Sequence, residues 1–90
     1  MRLSGRVAVV TGAAGGIGAA TARAMAAEGA RVVVADVQSG EATVESLRST
    51  GAEAIFVPCD VSEADQVAAM VATTVARFGA LDVLVNNAGI

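Results

Sequence analysis

The chain is 90 residues long, carries six basic residues, all arginine, against nine acidic ones for a formal charge of −3, and is 54% apolar with Phe56 and Phe78 as its aromatic residues. Arginines scattered singly form no basic patch, so neither nucleic acid nor an acidic membrane is expected as a partner. A lone Cys59 in a chain without histidine forms no internal disulfide and argues against a metal or catalytic thiol site, leaving a buried small thiol as the plain reading.

Residues 1–6 read as a short polar lead, with Ser4-Gly5 a turn. The β-branched run Val7-Ala8-Val9-Val10 stops at Thr11, and the cluster Gly12, Gly15, Gly16 and Gly18 follows. An alanine-rich segment free of breakers then reaches Glu28. This is a strand, a tight turn and a helix, an arrangement that gathers free N–H groups and the positive end of a helix dipole into a place for an anion such as pyrophosphate. Gly12, Gly16 and Gly18 can serve three purposes: backbone angles closed to other residues, close approach of a phosphate, and tight crossing of helix over strand. A kinase-type phosphate loop is excluded because Ala19 and Ala20 stand where its lysine and hydroxyl residue would be. The uncharged stretch 7–22 follows Arg2 and Arg6 as in a secretory leader, but the glycines and Thr11 interrupt it. No apolar run has membrane-spanning length, and a cytoplasmic location is expected.

In the first helix, Ile17, Ala20, Ala24 and Ala27 or Glu28 fall on one face, where small residues allow close contact with a sheet. Gly29 is its left-handed exit. Residues 31–37 contain Val32-Val33-Val34-Ala35, a continuous apolar run suited to a parallel strand buried on both faces, closed by Asp36. Ser39 is placed to cap a second helix with Glu41 in its first turn, Val44 and Leu47 inward and Thr50-Gly51 at its end. Glu45 and Arg48 are spaced for an exposed pair. Residues 54–57 form a third strand, and Pro58 at its C-terminal end, which has no N–H, suits a sheet edge or the point where the ladder finishes. Ser62-Glu63-Ala64-Asp65 reads as a capping box. It opens a third helix with the stripe Val67, Met70, Val71, Thr74, Val75 and Phe78, ending at Gly79. Residues 81–85 supply strand four. The predicted fold is α/β, a Rossmann-like parallel sheet built as β-α-β-α-β-α-β with strand order 3-2-1-4. Residues 1–90 are read as the N-terminal part of a single dinucleotide-binding domain, truncated after strand four, whose open edge and uncovered apolar area invite association.

The motif Thr11-Gly12-x-x-x-Gly16-Ile17-Gly18 resembles the cofactor signature of the short-chain dehydrogenase/reductase family. Gly15 also permits a Gly12-x-x-Gly15-x-x-Gly18 reading, the form of the family's extended branch. Asn86-Asn87-Ala88-Gly89 resembles the family's Asn-Asn-Ala-Gly motif and selects the classical branch. The resemblance spans residues 7–89 and implies cofactor contacts from Gly12, Gly15, Gly16, Ile17, Gly18, Asp36, Asp60, Val61, Asn87, Ala88 and Gly89, with Asp60 and Val61 flanking the adenine. It also implies that Asp82 supports the core and the adenine pocket, whereas the bare sequence reads a turn aspartate. Asp36, eighteen residues beyond Gly18, can accept hydrogen bonds from both adenosine-ribose hydroxyls and would repel a 2′-phosphate. With no basic residue in the glycine turn, NAD is favoured over NADP.

Hydride transfer to a carbonyl needs a proton donor and a group to tune it. The family uses a serine and a Tyr-x-x-x-Lys pair beyond its Asn-Asn-Ala-Gly strand. Tyrosine, lysine and histidine are all missing here, so no catalytic residue is assigned and the 90-residue piece alone is expected to be inactive. The leading expectation is the cofactor-binding portion of an NAD-dependent oxidoreductase interconverting an alcohol and a carbonyl, homo-oligomeric at full length. A noncatalytic dinucleotide-binding regulator and a purely structural fragment are the alternatives.

Overall fold

A computed structural model describes residues 2–88. The elements follow in the order β1 (Val7–Thr11), α1 (Gly16–Ala27), β2 (Arg31–Asp36), α2 (Glu41–Ser49), β3 (Ala54–Pro58), α3 (Ala64–Phe78) and β4 (Val83–Val85). The four strands are parallel and ordered β3-β2-β1-β4, the order read from the sequence. Val7 to Thr11 stand opposite Arg31 to Ala35 in β2, and Ala8 to Val10 stand opposite Val83 to Val85 in β4.

The two faces of the sheet are filled by alternate residues of the same strands, as a pleat of period two requires. Ala8, Val10, Val32 and Val34 pack with Ala22 of α1 and with Val44 and Leu47 of α2. Val9, Val33, Ala35 and Ile55 pack with Cys59 and Met70, joined by Val67 and Phe78 of α3. Every residue of β1 is buried, which explains why the central strands are apolar throughout rather than alternating. Pro58 closes the edge strand β3 opposite Asp36. The next residue restores the contact, Cys59 N–H donating to Asp36 O at 3.1 Å.

Several local readings need correction. The buried face of α1 is Gly18, Ala19 and Ala22, with Met25 and Ala26 half-buried against the core; Ile17, Ala20, Ala24 and Ala27 are exposed. A helix of alanines is apolar nearly all round, so its composition does not choose a face; the seating of Gly18 does. Gly40, not Ser39, is the N-cap of α2. A Cβ on Gly40 would lie 2.6 Å from Val34 Cγ1 and 2.7 Å from Phe56 Cδ1, so only glycine lets the chain enter the helix so close to the sheet. Ser39, one residue before the cap, accepts a long 3.4 Å bond from the N–H of Glu41, the first residue of α2. The capping box at residues 62–65 does not form: Glu63, not Ser62, is the N-cap, without a side-chain cap, and the Ser62 hydroxyl donates to Asp60 Oδ1 at 2.7 Å. Arg48 does not pair with Glu45; its Nε donates to Ala54 O at 3.0 Å, tying α2 to β3. Within the α3 stripe Met70 and Thr74 are buried, whereas Val71 and Val75 are exposed.

Candidate dinucleotide site

The order β3-β2-β1-β4 makes the chain leave β1 for β2 on one side and reach β4 on the other. In a parallel sheet this reversal opens a crevice beyond the strand ends. The turn between β1 and α1 and the segment after β4 meet there, and Thr11 joins them. Its Oγ1 accepts the N–H of Asn87 at 3.0 Å and of Ala88 at 3.1 Å, and lies 3.3 Å from Val85 O and 3.2 Å from Asn86 Oδ1, to either of which its proton can be donated. Asn87 Nδ2 donates to Gly12 O at 3.3 Å. Thr11 appears in the sequence motif but is absent from the set of expected contacts. The signal was a hydroxyl at the buried end of a central strand, where a polar group must find partners.

The glycines differ in what their backbone requires. Gly12 and Gly16 have φ of +65° and +59°, values that L side chains rarely adopt. Gly18 has no room: a Cβ there would sit 2.0 Å from Gly12 O and 2.8 Å from Asn87 Nδ2. Gly15, the N-cap of α1, is extended, with φ −166°, and a Cβ on Gly15 or Gly16 would meet nothing within 4 Å. The first N–H to bond into the helix belongs to Ala19, which donates to Gly15 O at 3.2 Å. The helix-initial N–H groups of Gly16, Ile17 and Gly18 precede it and lack intrahelical acceptors. Helix-initial donors beside glycines whose Cβ positions are open suit an anion such as a pyrophosphate. The Ile17 side chain is 78% exposed at the same helix start.

Asp36 stands at the end of β2 beside this turn. Its Oδ2 accepts from Ala14 N–H at 2.9 Å and its Oδ1 from Gln38 N–H at 3.0 Å. Each carboxylate oxygen has a second lone pair, so a ribose diol can be accepted without breaking either bond. Asp60 follows β3 at the same end of the sheet but bonds within its own loop. It accepts from the hydroxyl and N–H of Ser62, which hold its carboxyl below the ordinary aspartate range, while its N–H donates to Gln66 Oε1. Val61 is half-buried against the α3-side core. Gly89, the last of the expected contacts, lies outside the described residues.

Asp82 belongs to the opposite end of the sheet. Its Oδ2 accepts Val7 N–H and its own N–H donates to Val7 O, both at 2.9 Å, with Arg6 at 3.7 Å. It therefore joins β4 to β1 at their starts and supports the core, far from the edge where an adenine pocket would form. Cys59 is buried, and burial first, then the neighbouring Asp60 charge, pushes its thiol upward. Among the described residues no three His, Cys, Asp or Glu side chains gather as metal ligands, and no helix is long and apolar enough to cross a membrane.

A parallel sheet whose strand order reverses beside a glycine-rich turn is the architecture of dinucleotide-binding α/β proteins. The model of the short chain dehydrogenase family matches residues 6–90, and the chain belongs to that family, which binds NAD or NADP. It is 57% identical over 86 residues to cis-4-hydroxycyclohexanecarboxylate dehydrogenase of Sinomonas cyclohexanicum, covering 94% of this chain and 34% of that protein. It is 50% identical over 91 residues to tropinone reductase-like 2 of Erythroxylum coca, covering 99% of this chain and 32% of that protein. Among solved structures, a short chain dehydrogenase from Mycobacterium avium superposes with a TM-score of 0.97 at 45% identity over 100% of this chain and 35% of that one. A hydroxysteroid dehydrogenase from Escherichia coli gives 0.95 at 35% identity, over 99% and 39%. The chain thus spans about a third of the length of the curated relatives it matches.

Proposed function

We propose that this chain is the NAD-binding part of an oxidoreductase that interconverts an alcohol and a carbonyl. The observation that carries the choice of cofactor is the Asp36 carboxylate, fixed at the end of β2 by Ala14 and Gln38 N–H groups, with Val37, Gln38 and Ser39 following it rather than a basic residue. A carboxylate in that place accepts from two ribose hydroxyls and repels a 2′-phosphate. Gly12, Gly15, Gly16, Ile17 and Gly18 would hold the pyrophosphate, and Asn87, Ala88 and Gly89 would border the nicotinamide half. Asp60 and Val61 would border the adenine.

A relative named as a dehydrogenase and another named reductase-like support a reaction run in either direction between alcohol and carbonyl. A bound nicotinamide would supply or receive the hydride. The described residues would bind and orient it, and the proton-handling group would come from sequence outside these 90 residues. The substrate is a small alcohol or carbonyl compound, and the assembly a homo-oligomer. The test is a titration of the full-length protein with NAD and NADP, followed by oxidation of a panel of secondary alcohols read by nicotinamide absorbance. Tighter NAD binding with NAD-linked turnover is expected; NADP binding more tightly than NAD would overturn the cofactor choice, and binding without turnover of any alcohol or carbonyl would overturn the reaction.

A further inference from the structure

Ala14, in the middle of the glycine turn, is held at both of its backbone groups by side chains from two other elements. Its N–H donates to Asp36 Oδ2 at 2.9 Å, and its carbonyl accepts from Thr43 Oγ1 at 3.3 Å. The preceding N–H, that of Ala13, donates to Ala35 O at 3.3 Å. Thr43 is in the first turn of α2, so its hydroxyl has no helical carbonyl four residues earlier to bond back to. It reaches out of α2 instead, and is only 4% exposed. A buried hydroxyl on the core face of a helix, where an apolar residue would pack without needing a partner, calls for a reason. Gly40 brings the start of α2 so close to the sheet that a Cβ there would collide with Val34 and Phe56.

We propose that Thr43 is a positioning residue for the pyrophosphate of the dinucleotide. It touches no part of the cofactor. By fixing the Ala14 carbonyl it fixes the Ala14–Gly15 peptide plane, and with it the approach of the chain to the donors at Gly16 and Ile17. Asp36 and Thr43 grip the turn from β2 and α2, so the ribose-binding strand and the phosphate-binding turn are held at one separation. This rests on the dinucleotide reading above.

The test compares wild type, Thr43→Val, Thr43→Ala and Thr43→Ser in the full-length protein by calorimetric titration with ADP-ribose, which carries the pyrophosphate, and with adenosine, which does not. The valine and alanine variants should each weaken ADP-ribose binding on the order of tenfold, the scale of one lost hydrogen bond. Adenosine affinity should be unchanged, and serine should restore ADP-ribose binding. The Gly15 amide resonance, whose peptide contains the Ala14 carbonyl, should move in the valine and alanine variants and return in the serine variant. Equal weakening for both ligands, or none for ADP-ribose, would overturn the positioning role while leaving the dinucleotide reading in place. Wild-type protein that binds no ADP-ribose would overturn both.

Discussion

The backbone N–H of Asn87 donates to the hydroxyl of Thr11 at 3.0 Å, across 76 residues of sequence. This bond and its neighbour from Ala88 fasten the segment after β4 to the end of β1, and Thr11 is buried there. Thr11→Val keeps the shape and removes the acceptor, leaving N–H groups unpaired at a cost of about 1–3 kcal/mol. Chemical denaturation of the full-length protein should show a loss of that size, with weaker dinucleotide binding, and Thr11→Ser should recover most of both.

Gly18 and Gly15 separate packing from binding. Gly18→Ala drives a Cβ to 2.0 Å from Gly12 O, a backbone clash relieved only by lifting α1 from the turn. The melting temperature should fall by several degrees and cofactor binding should be lost. Gly15→Ala places its Cβ in open space at an extended backbone position. That variant should melt like wild type, yet bind NAD more weakly if the space is where the pyrophosphate lies. A Gly15→Ala protein that both melts and binds normally would remove Gly15 from the site.

The order of elements and strands was legible because each buried strand is a run of valines or isoleucine and each helix ends near glycine or serine. The need for glycine was legible at Gly12 and Gly16, which have positive φ, and at Gly18, where a Cβ would meet Gly12 O. Side-chain partners at helix starts were not. Ser62 sits at the spacing of a capping box, yet the helix starts one residue later, with Glu63 as its N-cap, and the Ser62 hydroxyl turns back to Asp60. Local spacing does not fix the helix start to one residue. Thr43 gave no signal in the sequence, because the Ala14 carbonyl it meets lies 29 positions away.

Asp60 offers a pH test. The Ser62 hydroxyl and then its N–H favour the ionised carboxyl and lower its pKa from 3.8. A lowered folded-state pKa means that the loop is stabilised above the unfolded value and that this contribution disappears as pH falls through the folded value. The Asp60 carboxyl carbon should titrate below 3.8 by NMR. Ser62→Ala, which removes the first of the two donors, should move the midpoint up while the backbone donor keeps part of the shift.

Asp82→Ala should change stability alone. It removes the acceptor of Val7 N–H at the start of β1, where Val7 is buried, and the unpaired N–H costs about 1–3 kcal/mol. The proposed dinucleotide site is at the other end of the strands, so the dissociation constant for NAD should stay within about twofold, as for distant independent sites. A large loss of NAD affinity without a loss of stability would mean that the aspartate serves the cofactor edge after all.

Asp36→Ala tests whether cofactor choice can be changed by charge alone. Removing the carboxylate ends the repulsion of a 2′-phosphate, which by itself should let NADP bind. The same change strips the acceptor from Ala14 N–H in the glycine turn and from Gln38 N–H, so the turn loses one of its two grips. NAD affinity should fall by on the order of 10- to 100-fold, the scale of lost hydrogen bonds to a charged group. NADP should gain far less than NAD loses, because the pyrophosphate turn that both cofactors need is loosened. A variant in which NADP affinity rises to the wild-type affinity for NAD would show that Asp36 acts on the ribose only, and that Ala14 is held well enough by Thr43 without it.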